Sequence, residues 1–473
     1  MSVPMKPDVV VVGAGPAGLT AAATAAAGGT RVLLLDDQPA PGGQIYRAVE
    51  SVSKTAMAAL GPDYAAGRNL VEAMRAQDIA YVPNANVWQV TDGQEIGYSA
   101  AGKASLLRAP KIILTTGAIE RPFPIPGWTL PGVMMAGAAQ TLLKSSGLAA
   151  DGAVFAGSGP LLYLVVHQYL QAGIKVAALV DTTDRANRWR AAAKLPGALT
   201  RLDLIAKGRQ WIRAIRRSGT PIISGVNALR IVGDTVASGL AYRIGNEGWR
   251  EIPAEHVFLH QGVVPNVNLA LAAGVAHDWD TNQLCWRPRA DPWGRTNVDG
   301  VSIAGDGAGI GGAVAAACAG EIAALGALAD LNRLDQAEAE RRATAPRHTL
   351  ARETRIRPFL DVWFRPAEQF RLPGDDATIV CRCEELTRND VCDVIDIGIA
   401  GPNQLKSYCR AGMGPCQGRF CGLTVQELIA RQTGRRHEDV GYFRLRPPIK
   451  PLTLNELAEL EAEPEANFPG DGA

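Results

Sequence analysis

The chain has 473 residues, with 48 Lys and Arg against 47 Asp and Glu, so its formal net charge is +1. This length predicts two or three domains. So balanced a charge indicates neither nucleic acid nor an anionic membrane surface as a partner. No signal-peptide pattern precedes the first predicted strand, and glycines interrupt the apolar run through residue 27, so we expect a cytoplasmic protein without a membrane span.

The first predicted unit, residues 8–37, is typical of a dinucleotide-binding site. A valine-rich strand leads into Gly13-Ala14-Gly15-Pro16-Ala17-Gly18, an alanine-rich helix, and a second strand that ends at Asp36-Asp37. The three glycines would permit the tight turn, the approach of a pyrophosphate and close packing of the helix. The helix N-terminus would attract the phosphates, and Asp36 would accept a hydrogen bond from a ribose hydroxyl. The alternative is an ordinary glycine-rich turn.

Further motifs resemble flavoproteins of the thioredoxin-reductase and glutathione-reductase type. The resemblance implies that Gly43 and Gln44 lie along a flavin, that backbone groups near Val87 contact adenine, and that Thr116-Gly117 leave the FAD domain. The Gly305-Asp306 pair would close the flavin site, with Asp306 bonded to the ribityl chain and the following helix pointing at the isoalloxazine ring. A plain loop at Gly43 and a simple helix-capping role for Asp306 are the alternatives. Together these motifs favour FAD.

A second unit repeats the strand–turn–helix–strand pattern, with Gly157 and Gly159 in the turn and Asp181 after the second strand. The third glycine is replaced by Leu162, so the helix cannot pack as closely on its strand. This unit could bind NAD(P)H, could be a nucleotide-shaped structural domain, or could hold another phosphate ligand.

Six of the eight cysteines fall between residues 381 and 421. Such clustering in an intracellular protein favours a metal or cluster site over disulfides. The spacing resembles the bacterioferritin-associated ferredoxin-like [2Fe–2S] domain, which implies Cys381, Cys383, Cys416 and Cys421 as ligands. The closing pair is CxxxxC here and CxxC in the small ferredoxin. Zinc held by four cysteines is the alternative.

We therefore expect an α/β, two-dinucleotide-binding-domain flavoprotein of the thioredoxin/glutathione-reductase-like type with a small α-helical BFD-like [2Fe–2S] domain. The predicted parts are a discontinuous FAD-binding domain (1–128 and 256–330), an inserted NAD(P)-type domain (129–255), a linker (331–378), the [2Fe–2S] domain (379–440) and a C-terminal arm (441–473).

The whole chain resembles the α (A) subunit shared by opine oxidases/dehydrogenases, hydrogen cyanide synthase and dye-linked proline or hydroxyproline dehydrogenases. The segments that carry the resemblance are Gly42 to Arg47, Pro126 to Val133 and Arg410 to Arg419. The resemblance implies a heteromer in which a FAD-bearing, amino-acid-oxidase-like β subunit oxidises the C–N bond, and a small γ subunit is an optional further component. This chain would pass the electrons to an external acceptor, and FMN at a subunit interface or ATP in a nucleotide site is also implied.

Two other functions stay open from the sequence. Asp181 in the second unit is consistent with a stand-alone NAD(P)H:acceptor reductase. The C-terminal cysteines alone are consistent with a non-catalytic assembly or iron–sulfur-storage partner. The sequence identifies no catalytic residue.

Overall fold

The computed structural model describes residues 6–460. Of the predicted C-terminal arm, residues 461–473 lie outside the described residues, and so does Glu461 at the end of the helix predicted there. The part up to residue 120 alternates short buried strands with helices. Its elements are β1 Val9–Val12, α1 Pro16–Ala27, β2 Val32–Leu35, α2 Lys54–Leu60, α3 Pro62–Ala65, α4 Gly67–Arg75, β3 Ile79–Val82, β4 Asn86–Val90, β5 Glu95–Ala100, β6 Lys103–Arg108, β7 Lys111–Leu114 and β8 Ala118–Glu120.

The middle of the chain repeats this alternation and adds an antiparallel group of strands. Its elements are β9 Val133–Met135, α5 Ala136–Ser146, β10 Ala153–Gly157, α6 Pro160–Gln171, β11 Val176–Asp181, α7 Ala186–Ala192, α8 Leu195–Leu199, α9 Leu202–Arg217, β12 Ile222–Ser224, β13 Val226–Gly233, β14 Ala237–Ile244, β15 Arg250–Pro253, β16 Val257–His260 and β17 Val263–Pro265.

The remaining part is mostly helical. Its elements are α10 Asn268–Ala272, β18 His277–Asp280, β19 Cys285–Pro288, β20 Val301–Ile303, α11 Ala313–Asp330, α12 Gln336–Thr354, α13 Arg357–Trp363, α14 Glu368–Arg371, β21 Ile379–Cys381, β22 Leu386–Thr387, α15 Arg388–Asp396, α16 Pro402–Cys409, α17 Gly422–Thr433, α18 His437–Val440 and α19 Leu454–Ala458. A 3-10 turn spans Gly305–Gly307.

Two parallel sheets of five strands form the framework. The first has the order β20-β7-β1-β2-β3, and the second has the order β12-β11-β10-β16-β9. In each sheet a strand that precedes a glycine turn, β1 or β10, is central, because apolar strands buried on both faces occupy the middle of a parallel sheet. The carboxyl ends of these strands are where such sheets bind ligands.

Strand β16 pairs with both β10 and β9, so it belongs to the second sheet. The predicted limit at residue 256 assigns this strand to the FAD-binding part instead. The segment predicted as one strand over residues 80–89 forms the end of β3 and most of β4, which lie in different sheets.

Helix α11 is the one described helix that is long and apolar enough to cross a membrane, with a mean hydropathy of 1.5 over 18 residues. It packs inside the protein, and 56% of this stretch is buried. A Cβ added at Gly320 would lie 2.0 Å from the Ala17 carbonyl oxygen, so the small residues of α11 let it lie directly against α1.

Candidate cofactor sites

The first glycine turn requires glycine at two of its three positions. Gly13 has a φ of +105°, and a Cβ there would lie 2.5 Å from the Thr115 carbonyl oxygen. A Cβ at Gly18 would lie 1.8 Å from the Gly13 oxygen, which makes the close packing of α1 on its strand possible. Gly15 is the N-cap of α1 and no side chain caps the helix, so Pro16 and Ala17 begin a helix whose positive end is open to an anion.

The two acids after β2 have different surroundings. Asp36 is only 4% exposed, and its Oδ2 atom has no hydrogen-bond partner. Burial raises the pKa of Asp36 to about 6, against hydrogen bonds from the backbone of Ala14 and Gln38. Asp37 is exposed; burial of part of its carboxyl raises its pKa, but Lys450, 3.1 Å from Oδ2, and the Gln38 amide outweigh this and hold the pKa below its usual range. Asp36 therefore provides an unsatisfied acceptor close to the glycine turn.

The Gly-Gly loop, residues 42–49, lies against this turn. The backbone N–H of Gly42 donates to the Ala14 carbonyl at 2.8 Å. Gly43 has a φ of +62°, and a Cβ there would lie 2.8 Å from the Gly15 Cα, so a side chain would push the loop away. The next residue, Gln44, is exposed.

Three other predicted site segments meet at the carboxyl edge of the first sheet. The Thr116 hydroxyl donates to the Asn266 carbonyl at 3.0 Å, and the Asn266 N–H donates to the Gly117 carbonyl at 2.9 Å. Gly305 begins the 3-10 turn, and Gly307 lies beside Gly117: a Cβ at Gly307 would be 3.4 Å from the Gly117 nitrogen.

Asp306 caps the start of α11 rather than projecting freely. Its Oδ1 atom accepts from the N–H groups of Gly311 and Gly312 at 2.8 and 3.0 Å. The capping role that the sequence left as an alternative is therefore present, and Oδ2 has no described partner among residues 6–460.

Val87 is buried in β4, away from the turn in sequence, and the C-terminal arm runs along the same strand. The Ile449 N–H donates to the Trp88 carbonyl at 3.0 Å. Lys450 reaches both Asp37 and Asn86, at 3.1 and 3.3 Å. The arm thus connects the adenine-side strand with the acids after β2.

The second glycine turn has the expected backbone but its acid is already engaged. Gly157 has a φ of +144° and Gly159 a φ of +131°. Asp181 Oδ2 accepts from the Tyr163 hydroxyl and Oδ1 from the Thr183 N–H, each at 2.9 Å.

The segment after α13 lies across this turn. The Ser158 hydroxyl in the turn donates to the Phe364 carbonyl at 3.4 Å, and the Asn187 amide donates to the Arg365 carbonyl at 2.9 Å. This geometry is that of a covered nucleotide fold and does not favour an open NAD(P)H site.

The four predicted cysteine ligands lie close together as two pairs. The Cys421 thiol hydrogen-bonds Cys381, which together with nearby backbone N–H groups lowers the pKa of Cys381 to about 6 despite burial. Cys383 interacts with Cys416 in the same way, and burial raises the pKa of Cys383. Within residues 6–460, no three His, Cys, Asp or Glu side chains converge as closely as a formed metal site requires. The four thiols fit a cluster as a donor set, and they stay a prediction as ligands.

The cysteine loop is joined to the flavin-type part of the protein. The Asn268 amide donates to the Gln417 carbonyl at 3.0 Å, next to Cys416. Asn268 is two residues from Asn266, which bonds Gly117. Arg121, fully buried, donates to two carbonyls of residues 283–284 and lies 3.6 Å from Glu427 on α17, which also pairs with Arg371.

Sequence reasoning missed Lys144 and Gln140. Their signal is the periodicity of α5, in which the buried positions are Ala136, Ala139, Gln140, Leu143 and Lys144. The spacing of three and four residues assigns both polar side chains to the apolar face of the helix.

Comparisons with known proteins agree with this architecture. Residues 7–185 match the family model "Pyridine nucleotide-disulphide oxidoreductase", and residues 376–460 match "Sarcosine oxidase A3 domain". The crystal structure of L-proline dehydrogenase from P. horikoshii has the same fold, with a TM-score of 0.70 over 96% of this chain and 79% of that one at 17% identity. The T. acidophilum thioredoxin reductase matches over 69% of this chain and 99% of its own, with a TM-score of 0.50 at 20% identity.

The fold and the two glycine turns define a flavoprotein oxidoreductase with two dinucleotide-binding folds, as predicted. The opine oxidase A-type chain of Agrobacterium tumefaciens is 43% identical over 96% of this chain and 92% of its own length. Hydrogen cyanide synthase subunit HcnB of Pseudomonas aeruginosa is 31% identical over 96% of this chain and 99% of its own. The chain belongs to the family of these opine oxidase A-type chains, which confirms the resemblance and the predicted class of enzyme subunit.

Proposed function

We propose that this chain is the electron-transfer subunit of a heteromeric dehydrogenase that oxidises the C–N bond of an opine or a related amino or imino acid. Its relatives are named as subunits of opine oxidase, hydrogen cyanide synthase and sarcosine oxidase. The proposed partner is an amino-acid-oxidase-like β subunit that carries its own FAD, and a small γ subunit is a further proposed component. The proposed location is the cytoplasm.

FAD fits the first glycine turn. The turn offers an uncapped helix N-terminus at Gly15, a glycine loop within contact distance of it, and the unpartnered Oδ2 of Asp36 for a ribose hydroxyl. A Cβ at Gly117 would meet no atom within 4 Å, so there is room beside this backbone. FAD bound here would supply redox chemistry in one-electron and two-electron steps.

The chain's own side chains at this site orient backbone. Thr116 and Asp306 hold neighbouring loops through the hydrogen bonds described above, and Arg121 is buried away from solvent. These roles suit binding and orientation more than proton transfer to a substrate. We therefore assign substrate oxidation to the partner subunit.

The observation that carries the proposal is the link between Gly117 and Cys416. Asn266 bonds Gly117, and Asn268 bonds the residue that follows Cys416, so one short segment contacts both proposed cofactor sites. A [2Fe–2S] cluster held by Cys381, Cys383, Cys416 and Cys421 would supply one-electron transfer. Glycines in the loop leave backbone N–H groups free to stabilise anionic sulfur.

The test compares the chain alone with the chain co-expressed with an amino-acid-oxidase-like partner, under anaerobic conditions. We expect opine-dependent dye reduction only with the partner, together with flavin absorption and a reduced-cluster electron paramagnetic resonance signal from this chain. Equal activity of the isolated chain would contradict the proposal. Metal analysis separates the cluster from zinc, and rapid flavin bleaching by NADH or NADPH would favour the stand-alone reductase. Bound FMN or ATP would be identified by mass spectrometry of the released cofactors.

A further inference from the structure

Lys144 is a buried lysine beneath the Gly-Gly loop. Its side chain is 3% exposed, and its ammonium donates to the carbonyls of Gln44 and Ile45 at 3.1 and 2.9 Å and to the Gln140 amide oxygen at 2.8 Å. An ammonium has three donors, and here each has an acceptor. A buried charge is costly unless it is hydrogen-bonded, so this arrangement is a specific one. Burial, with a smaller effect of Arg47, lowers the pKa of Lys144 to about 7.

The Gly-Gly loop depends on side chains for much of its hydrogen bonding. Besides the two carbonyls held by Lys144, the Arg47 carbonyl accepts from the Tyr64 hydroxyl at 2.5 Å, and the Val49 carbonyl accepts from Arg68 at 3.0 Å. Of these side chains, Lys144 holds the residue that directly follows Gly43. Since buried carbonyls without a donor are strongly disfavoured, loss of Lys144 would let this end of the loop move.

The ammonium also fixes a chain of buried amides. The Gln140 oxygen faces Lys144, so its NH2 group points to the Gln168 oxygen at 2.7 Å. The Gln168 NH2 group in turn donates to the Leu60 carbonyl at 3.1 Å. Lys144 therefore ties the Gly-Gly loop to α5, α6 and the end of α2.

We infer that Lys144 is a positioning residue that holds the Gly-Gly loop against the first glycine turn in the geometry that binds flavin. The inference rests on the proposed FAD site. Gly43 is packed so closely on Gly15 that a shift of the loop changes the glycine turn directly. Lys144 acts through backbone carbonyls and need not touch the cofactor.

The first test replaces the ammonium by an apolar group of similar length, Lys144→Met, in the full chain. Titration of the apoprotein with FAD, followed by flavin fluorescence, should give a dissociation constant at least about tenfold higher than that of the wild type. The matched control is Lys103→Met, because Lys103 is an exposed lysine on β6. A wild-type dissociation constant for Lys144→Met would overturn the inference.

A second test separates positioning from general loss of stability. Lys144→Ala leaves space for a small amine, so n-propylammonium should restore FAD affinity, whereas neutral n-propanol should not. Equal effects of the two additives would overturn the inference, and this test also decides the matter if Lys144→Met does not fold. If the wild-type apoprotein itself does not bind FAD, the proposed function fails, which is a different result from failure of the variant alone.

Discussion

Replacing Asp36 by Asn should make the apoprotein more stable and its FAD complex weaker. Burial raises the pKa of Asp36 from 3.8 to about 6. Because the folded-state pKa is the higher one, the native protein binds the extra proton between these values, so the free energy of unfolding falls as the pH rises through this window and stays lower above it. Two pKa units correspond to about 3 kcal/mol, an order-of-magnitude upper value. Asp36→Asn removes this cost because the amide carries no charge.

The assay is thermal or urea unfolding of apoprotein at pH 4 and pH 8, with Asp92→Asn, an exposed carboxyl in the turn between β4 and β5, as the control. The stabilisation by Asp36→Asn should be small at pH 4 and approach about 3 kcal/mol at pH 8. In the FAD complex the carboxylate gains a ribose donor, so the variant should bind FAD about 10-fold to 100-fold more weakly, as expected for a lost hydrogen bond to a charged group. A stability difference that does not change with pH would refute the reasoning about the buried carboxyl.

Three further changes test the other sites. Gly18→Ala should abolish FAD binding because its Cβ would overlap the Gly13 carbonyl, whereas Gly93→Ala, in an exposed turn with no close atom, should bind FAD normally in the same fluorescence titration. Cys383→Ser should remove the cluster absorption and keep the flavin spectrum, whereas Cys409→Ser should keep both; loss of both chromophores in Cys383→Ser would contradict separate sites. Arg121→Met should lower the free energy of unfolding by about 3–5 kcal/mol, as when one partner of a buried ion pair is removed. Arg75→Met, which breaks the exposed pair with Glu50, should have an effect of about 1 kcal/mol or less in the same denaturation experiment.

The parts of the fold that follow from local rules could be predicted from the sequence. Strand, glycine turn, helix and acid occur within about 30 residues in each unit, so residue spacing alone identifies them. The glycines at 13 and 18 are required by contacts within the same unit, and the structure has those contacts. The role of Asp306 was left open because a capping aspartate and a ligand-binding aspartate look the same in sequence.

The rest depends on pairs that are distant in the chain. Tyr163 on α6 occupies Asp181, and the backbone after α13 covers Ser158, so the second glycine turn is typical of an open nucleotide site in sequence but is covered in the structure. A tyrosine near the start of a helix gives no sign of this partner. The position of residues 357–371 likewise depends on tertiary packing, which a pattern within one unit does not contain.

The docking of the cysteine-containing part follows from the same kind of long-range pairing. The carboxylate of Glu427 is 3% exposed and has two arginine partners, Arg121 from the flavin-type part and Arg371 from the segment before the cysteines. If Arg121 is removed, the buried carboxylate keeps one partner but loses the contact that joins the two parts. The Trp286 indole N–H, which donates to the Gln426 amide oxygen at 2.8 Å, makes a neutral contact across the same boundary. Since the neighbouring residues Gln426 and Glu427 face two different elements of the flavin-type part, the orientation of α17, and with it the position of Cys421 at its N-cap, is fixed from two directions.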